Sequence, residues 1–336
     1  MTVEQRIRAF VKLGNHIANL SDEAFESLSL NARLENPWFT AENVKRSLNG
    51  VAQYLKEDNL RKWVSAYALN PTESKTVALV MAGNIPMVGF HDLLCVLISG
   101  HHAQLKLSSK DSKLIQYLIK HLTWFEPAFE KAITIKENKL ENFDAVIATG
   151  SDNSARYFEY YFGKYLNIIR KNRTSCVILS GNESEEEIEA LGDDIFSYFG
   201  LGCRNVSKAY VPKGYDFAKI LSKWGSYKDI IHHHKYCNNY DYQKSILLVN
   251  LIPFLDNGFI LLQENEKLVS PISVLYYEYY SDQTDLEGKL RNNQEKTQCV
   301  VGSNSAATVG FGKAQYPAVW DYADNVDTLK FLESLN

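Results

Sequence analysis

Several common signatures are missing from this chain of 336 residues. No apolar run approaches the roughly 20 residues that a membrane-crossing helix needs. The nearest, Val88–Ile98, is broken by His91 and Asp92. Met1–Leu20 reads as an amphipathic helix, and its charges and Asn15 break any signal-peptide core. A cytoplasmic location is the expectation. Excess positive charge is missing too: the net charge is -4, without the basic stripe of a nucleic-acid binder. Cysteine is scarce and odd in number, at positions 95, 176, 203, 237 and 299, which argues against a disulfide framework and for reduced thiols. The chain has no Gly-x-Gly-x-x-Gly after a strand, no Walker-type loop and no Gly-x-Ser-x-Gly elbow. It also has no internal repeat and no low-complexity linker.

What is there has the length of two domains. Residues 1–75 read as a helical segment, with Ile7, Phe10, Val11, Ile17 and Leu20, then Val44, Leu48, Val51, Leu55 and Leu60, at roughly helical spacing. The texture then changes. Strands are expected at Thr76–Met81, Ala103–Leu107, Ala132–Ile135, Phe143–Ala148 and Ser175–Ser180, alternating with helices at Met87–Ile98, Ser112–Leu122 and Ser154–Ile169. Such alternation predicts an α/β fold with a mostly parallel sheet covered on both faces. Ser184 and Glu187 form a capping-box pattern that opens a helix over 185–199. Strands at Val206–Val211, Phe259–Gln263, Ile272–Tyr280 and Gln298–Val301 follow, Ser245–Phe254 is an apolar run, and Asp327–Leu335 reads as a closing helix. The expected division is a helical segment 1–75, an α/β cofactor domain 76–180, and an α/β catalytic domain with a C-terminal tail, 181–336.

Cys95, Cys176 and Cys299 lie in apolar runs and read as buried small hydrophobes. Cys203 differs. It follows Gly200-Leu-Gly202 after a predicted helix, and Arg204 beside it offers a charge that would favour the thiolate. The same residues also fit a glycine C-cap followed by an ordinary cysteine. Asn84, in Met81-Ala-Gly-Asn-Ile-Pro-Met-Val-Gly89, sits in a strand-to-helix turn. Its amide could donate to a developing oxyanion or serve only the turn. Lys106 ends a strand, and Ser108 and Ser109 open a helix, a phosphate-binding pattern or a solvated cap. Gly150 and Ser151 make a similar turn in which a simple cap is the rival. His232, His233, His234 and Cys237 cluster, but no second ligand group accompanies them, so a polar or substrate-lining helix is expected rather than a zinc site; no metal is expected.

In order and spacing, Gly83-Asn-Ile-Pro-Met-Val-Gly89, Leu105-Lys-Leu-Ser-Ser-Lys-Asp111, Ile147-Ala-Thr-Gly-Ser151, Phe199-Gly-Leu-Gly-Cys203 and the tail from Gly310-Phe-Gly-Lys to Tyr322-Ala-Asp324 resemble the LuxC-type acyl-CoA reductases. That family, which includes the fatty-acid reductase of bacterial bioluminescence, is a branch of the aldehyde dehydrogenase superfamily. The resemblance covers roughly residues 76 to 324. It implies an aldehyde-dehydrogenase-like fold of two α/β domains, a cofactor bound without the Rossmann glycine fingerprint, and assembly as a homo-oligomer. It also implies NADPH-dependent reduction of a long-chain fatty acyl-CoA, or another acyl thioester such as an acyl-protein, to the aldehyde. By the same resemblance Cys203 is the nucleophile, Asn84 the oxyanion-hole amide and Lys106, beside Ser108, the group for the adenosine ribose. Gly150 and Ser151 receive the pyrophosphate region, and Glu266 holds the nicotinamide ribose, although Lys267 departs from the pattern there. Lys106 and Lys110 could meet a 2′-phosphate, which favours NADPH and leaves NADH open. Hydrolytic relatives carry a water-activating glutamate where this chain reads Arg170-Lys-Asn-Arg173, a departure that favours thioester reduction over oxidation to an acid. The rival expectations are a reductase of an acyl phosphate, a non-catalytic nucleotide-binding partner in a fatty-acid-handling complex, and a cysteine hydrolase using one of His232–His234.

Overall fold

The computed structural model describes residues 1–335. The chain divides into two compact units, Met1–Asn172 with the segment from Ala318 onward, and Arg173–Pro317.

The first unit opens with α1 (Val3–Ala18), α2 (Asp22–Glu35), α3 (Ala41–Tyr54) and α4 (Glu57–Val64). In α1 the apolar side chains Ile7, Phe10, Leu13 and Ile17 recur three or four residues apart and are all buried. Thr2 and Gln5 start it with a reciprocal capping box. The parallel sheet comprises β1 (Thr76–Val80), β2 (His102–Lys106), β3 (Ile133–Ile135), β4 (Ala145–Thr149) and β5 (Leu166–Arg170), in the order β3-β2-β1-β4-β5. The connecting helices are α5 (Phe90–Ser99), α6 (Ser112–Phe125) and α7 (Asp152–Phe162). Strands β1 and β4 are nearly continuous apolar runs because helices cover both faces of a parallel sheet. The helix expected over 154–169 ends at Phe162; Leu166–Arg170 pairs with β4 as the edge strand β5. Its side chains are too mixed to show a strand period, and pairing decided the outcome.

The second unit holds β6 (Thr174–Ile178), α8 (Glu185–Phe196), β7 (Val206–Pro212), α9 (Phe217–Lys223), α10 (His234–Val249), β8 (Leu255–Asp256), β9 (Leu261–Glu264), β10 (Val274–Tyr280), α11 (Gln283–Asn292) and β11 (Thr297–Val301). The sheet order is β11-β6-β7-β10-β9-β8, with only β8 antiparallel to its neighbour. Val177, Leu191, Val211, Trp224, Leu262 and Leu275 share its main core.

Two boundaries move from their expected places. Strand β6 pairs with β7 and β11, so it opens the second sheet instead of closing the first, and the division falls at residue 172 instead of 180. The tail returns to the first unit: Trp63 Nε1 donates to Tyr322 Oη at 2.7 Å, and the closing helix α12 (Thr328–Glu333) packs on α5. Helix α10 was legible in two pieces, the polar helix expected at His232–Cys237 and the apolar run at its end; Tyr236, Tyr240 and Leu247 are its buried residues.

Candidate functional site

The candidate residues of the first unit converge. Strands β2, β1 and β4 are neighbours, and their carboxyl ends lead into Lys106 and Ser108, into Gly83 and Asn84, and into Gly150 and Ser151. The chain reverses its direction of sheet growth between β1 and β4, which is where an open α/β sheet leaves a ligand crevice.

The turn after β1 is held on three sides. Asn36 Nδ2 donates to the Gly83 carbonyl at 3.2 Å, Ser47 Oγ to the Pro86 carbonyl at 2.6 Å, and the Met87 N–H donates to Asp111 Oδ2 at 2.7 Å. Met87 has φ 58°, a left-handed conformation that costs a non-glycine residue roughly 1–2 kcal/mol, so the clamp has strain to hold. Gly83 is required by close packing, since a Cβ there would lie 2.8 Å from Ser108 Cβ. Asn84 itself is exposed on this fixed turn. Asp111 is buried, and its Oδ1 has no hydrogen-bond partner. Burial pushes its carboxyl up to about 8, with the Met87 N–H opposing and the Glu35 charge adding.

Lys106 Nζ donates to the Glu137 carbonyl. The start of α6, expected to be open to phosphate, is closed by the chain itself. Glu35 accepts from the Ser112 N–H at 2.8 Å and the Lys113 N–H at 3.0 Å. The protein's own carboxylate thus takes the place that a bound anion would occupy. At α7 Ser151 is the N-cap, accepting from the Ser154 N–H at 3.2 Å. Gly150 makes room there for the ring of Phe158, 2.8 Å from where a Cβ would stand.

In the second unit Cys203 lies on the turn between α8 and β7 and is half-buried. The helix stops at Phe196 because Tyr198 and Phe199 adopt φ 53° and 59°, followed by Gly200 at 76°. Asn205, buried, holds this reversal. Its amide donates to the carbonyls of Asp194, Ile195 and Ser197 at 3.2, 3.3 and 2.8 Å and accepts from the Gly202 N–H at 2.8 Å. Ser175 Oγ donates to the Cys203 carbonyl at 3.0 Å. The Arg204 side chain hydrogen-bonds Cys299, where it works against burial, which raises that thiol. Cys176 is buried and pushed up to about 12. Glu266 is exposed, on a segment tied to β7 by Lys208 Nζ donating to the Asn265 carbonyl and by Ser207 Oγ donating to the Leu268 carbonyl at 2.9 Å.

No family model matches this sequence, and no curated relative does. Solved structures do match. Aldehyde dehydrogenase 21 from Physcomitrella patens, in complex with the reaction product succinate, superposes with a TM-score of 0.68 over 99% of this chain and 84% of that one, at 13% identity. A Mycobacterium tuberculosis aldehyde dehydrogenase complexed with NAD+ gives 0.69 over 99% and 84%, at 11% identity. Aldehyde dehydrogenase C from Pseudomonas syringae, a mutant complexed with NAD+ and octanal, gives 0.64 over 90% and 72%, at 11% identity. The fold is that of the aldehyde dehydrogenases.

Within this aldehyde dehydrogenase fold, Asn84, Lys106, Ser108, Gly150 and Ser151 belong to the first unit, and Cys203 and Glu266 to the second. Where hydrolytic relatives are expected to place a carboxylate, Arg170 ends β5, buried, donating to Asp92 and to Thr328 Oγ1. Among the described residues no cluster of His, Cys, Asp and Glu is arranged for a metal, and no helix is long and apolar enough to cross a membrane. His233 stacks near Phe199, with ring centroids 4.3 Å apart. Of the aromatic residues of α7, Tyr157, Tyr160 and Tyr161 are exposed, whereas Phe158 and Phe162 pack on the sheet. Asn205, Ser175, Asp111, Asn36 and Glu35 escaped the sequence reading. Only Asn205, next but one to Cys203, carried a local signal.

Proposed function

We propose that this chain reduces a fatty acyl thioester, acyl-CoA first among them, to the aldehyde through an acyl-enzyme on Cys203, with NADPH as the reductant. The observation that carries this reading is the setting of Cys203. It is a half-buried thiol on a turn fixed by Asn205 and Ser175, whereas Cys176 and Cys299 are buried in the same sheet.

The Cys203 thiolate attacks the thioester carbonyl, and the electron pair moves to oxygen. The Asn84 amide and the Cys203 N–H are the donors proposed for that oxyanion; losing one such donor typically costs about 3–4 kcal/mol of transition-state stabilisation. The oxyanion collapses, the bond to the departing sulfur breaks, and coenzyme A leaves as the thiolate. When bound, a nicotinamide would supply hydride to the acyl carbon, leaving a thiohemiacetal oxyanion on Cys203. Loss of the Cys203 sulfur from that carbon then gives the aldehyde and restores the thiolate.

The cofactor reading is supported by three adjacent strand ends that carry Lys106 and Ser108, Gly83, and Gly150 and Ser151 on either side of the sheet's switch point. Those residues, with Glu266 for the nicotinamide ribose, are the ones that would hold it, and Lys110, exposed beside Lys106, favours a 2′-phosphate. The arginine at position 170, paired with Asp92, cannot activate water, which favours hydride over hydrolysis as the fate of the acyl-enzyme.

The test is intact-mass spectrometry after incubation with a long-chain acyl-CoA and no nicotinamide. It should show one acyl adduct, on Cys203, which discharges to aldehyde when NADPH is added. An adduct that forms only from acyl phosphate, or turnover that survives Cys203→Ala, would remove the reading.

A further inference from the structure

At the amino-terminal edge of the first sheet, opposite the strand ends just described, lies a cavity of about 250 Å³ whose lining includes Arg6, Asn70, Ser74, His101, His102 and Lys131. No Asp or Glu contributes to it. Arg6 is 3% exposed. Its guanidinium donates to two backbone carbonyls, of Met1 at 3.1 Å and of Leu69, and its Nε is buried without a partner. Among the described residues no carboxylate pairs with it. Burial without a counter-charge lowers its ionisation to about 10, the signature of a cation held where its solvation is not replaced.

The neighbouring carboxylates are already engaged. Glu73 pairs with Lys75 at 2.5 Å, and Asp144 accepts from the Thr76 N–H at 2.7 Å. His101 is committed as a neutral ring, since its Nδ1 accepts from the Lys75 N–H at 3.2 Å while its Nε2 meets the Leu332 carbonyl at 3.0 Å. Lys131 and His102 make no ion pair and no side-chain hydrogen bond among the described residues, and both are exposed at the rim. Gly100, left-handed at φ +93°, leaves the room the guanidinium uses, since a Cβ there would come within 3.1 Å of Arg6 Cζ.

We propose that this cavity is a binding site for a phosphate-bearing small molecule, with Arg6 as the buried counter-charge and Lys131 and His102 closing over the anion from the rim. Guanidinium, ammonium and imidazole donors on the lining of one cavity free of carboxylates suit an anion with several acceptor oxygens, as phosphate is. The site is separate from the strand ends that Lys106 and Gly150 occupy and does not depend on the reduction chemistry.

Inorganic phosphate is the probe, titrated into the full-length protein at constant ionic strength against chloride, with thermal unfolding and calorimetry as readouts. A saturable rise in Tm is expected, because a ligand that binds only the folded state stabilises it. Lys131→Ala and His102→Ala, both at exposed positions, should each weaken phosphate about tenfold, the worth of one charge-assisted hydrogen bond. Arg6→Met should abolish saturation. Lys106→Ala, at the opposite edge of the sheet, should leave the phosphate titration unchanged. Either of two results overturns the proposal: no shift beyond the chloride control, or a shift that disappears in Lys106→Ala and persists in Lys131→Ala.

Discussion

Two turns of this molecule solve the same problem with different means. The turn after β1 presents Asn84, and the turn before β7 presents Cys203. Each contains non-glycine residues in the left-handed region, Met87 in one and Tyr198 with Phe199 in the other. Each is held in that strained shape by a buried polar side chain, Asp111 or Asn205. The difference lies in the clamps. Asn205 is a neutral amide that satisfies itself four times within eleven residues of its own position. Asp111 comes from another element, 24 residues away, accepts one hydrogen bond at Oδ2 and leaves Oδ1 unpartnered. The first clamp is indifferent to pH, and the second is a titratable group.

The sharpest way to break the comparison is to remove what each turn presents. Cys203→Ala should abolish acyl transfer, a fall of at least about a thousandfold in turnover, with the unfolding midpoint nearly unchanged because the thiol is only half-buried. Asn84→Ala should lower turnover by about a hundred- to a thousandfold and leave the Cys203 adduct slower to form. Stopped-flow measurement of adduct formation checks both, and weaker substrate binding with an unchanged rate of adduct formation at saturation would assign Asn84 to binding alone.

The clamps come next. Asn205→Ala strands three carbonyls and one N–H in a buried turn. Each unsatisfied group costs about 1–3 kcal/mol, and relaxation shares that cost, so a loss of about 3 kcal/mol is expected in urea unfolding. Alkylation should read the same event. In the native protein iodoacetamide should label Cys203 ahead of the buried Cys176 and Cys299; in Asn205→Ala that order should blur as the turn loosens.

The two turns also differ in how far the sequence discloses them. Gly200-Leu-Gly-Cys203-Arg-Asn205 is a local pattern, and the cap, the reversal and the thiol can all be found in it. The sheet strands were legible for the same reason: runs such as Val77-Ala-Leu79 are apolar because both faces are covered. Asp111 could be read only as part of a cap, since its partner Met87 belongs to a different connection. Glu35 and Asn36, at the end of α2, were invisible as site residues because only the tertiary fold brings a helix C-terminus against the start of α6 and the Gly83 turn. The same limit misplaced β6, whose apolar run fits either sheet until its partners are known. Nor was the contact of Arg204 with Cys299 legible, because adjacency along the chain does not fix where a long side chain points.

The effect that is smallest at each step, no more than about 1.4 kcal/mol per pH unit, separates the clamps by pH. Asp111 titrates at about 8 in the folded chain against an ordinary value of 3.8. The folded state therefore holds a proton that the unfolded state gives up between those values. Stability from this group is complete below the lower value and drains away as pH rises toward the upper one, by at most about 1.4 kcal/mol for each pH unit. Asp111→Asn keeps an oxygen for the Met87 N–H and removes the titration. The stability of the variant relative to the native protein should rise steadily from pH 5 to pH 8, a slope that urea midpoints at several pH values would measure, whereas the corresponding Asn205→Asp should produce a new pH dependence where none existed. If the native protein and Asp111→Asn ran parallel across that range, the carboxyl at position 111 would be ionised in the fold, and the first turn would be as insensitive to pH as the second.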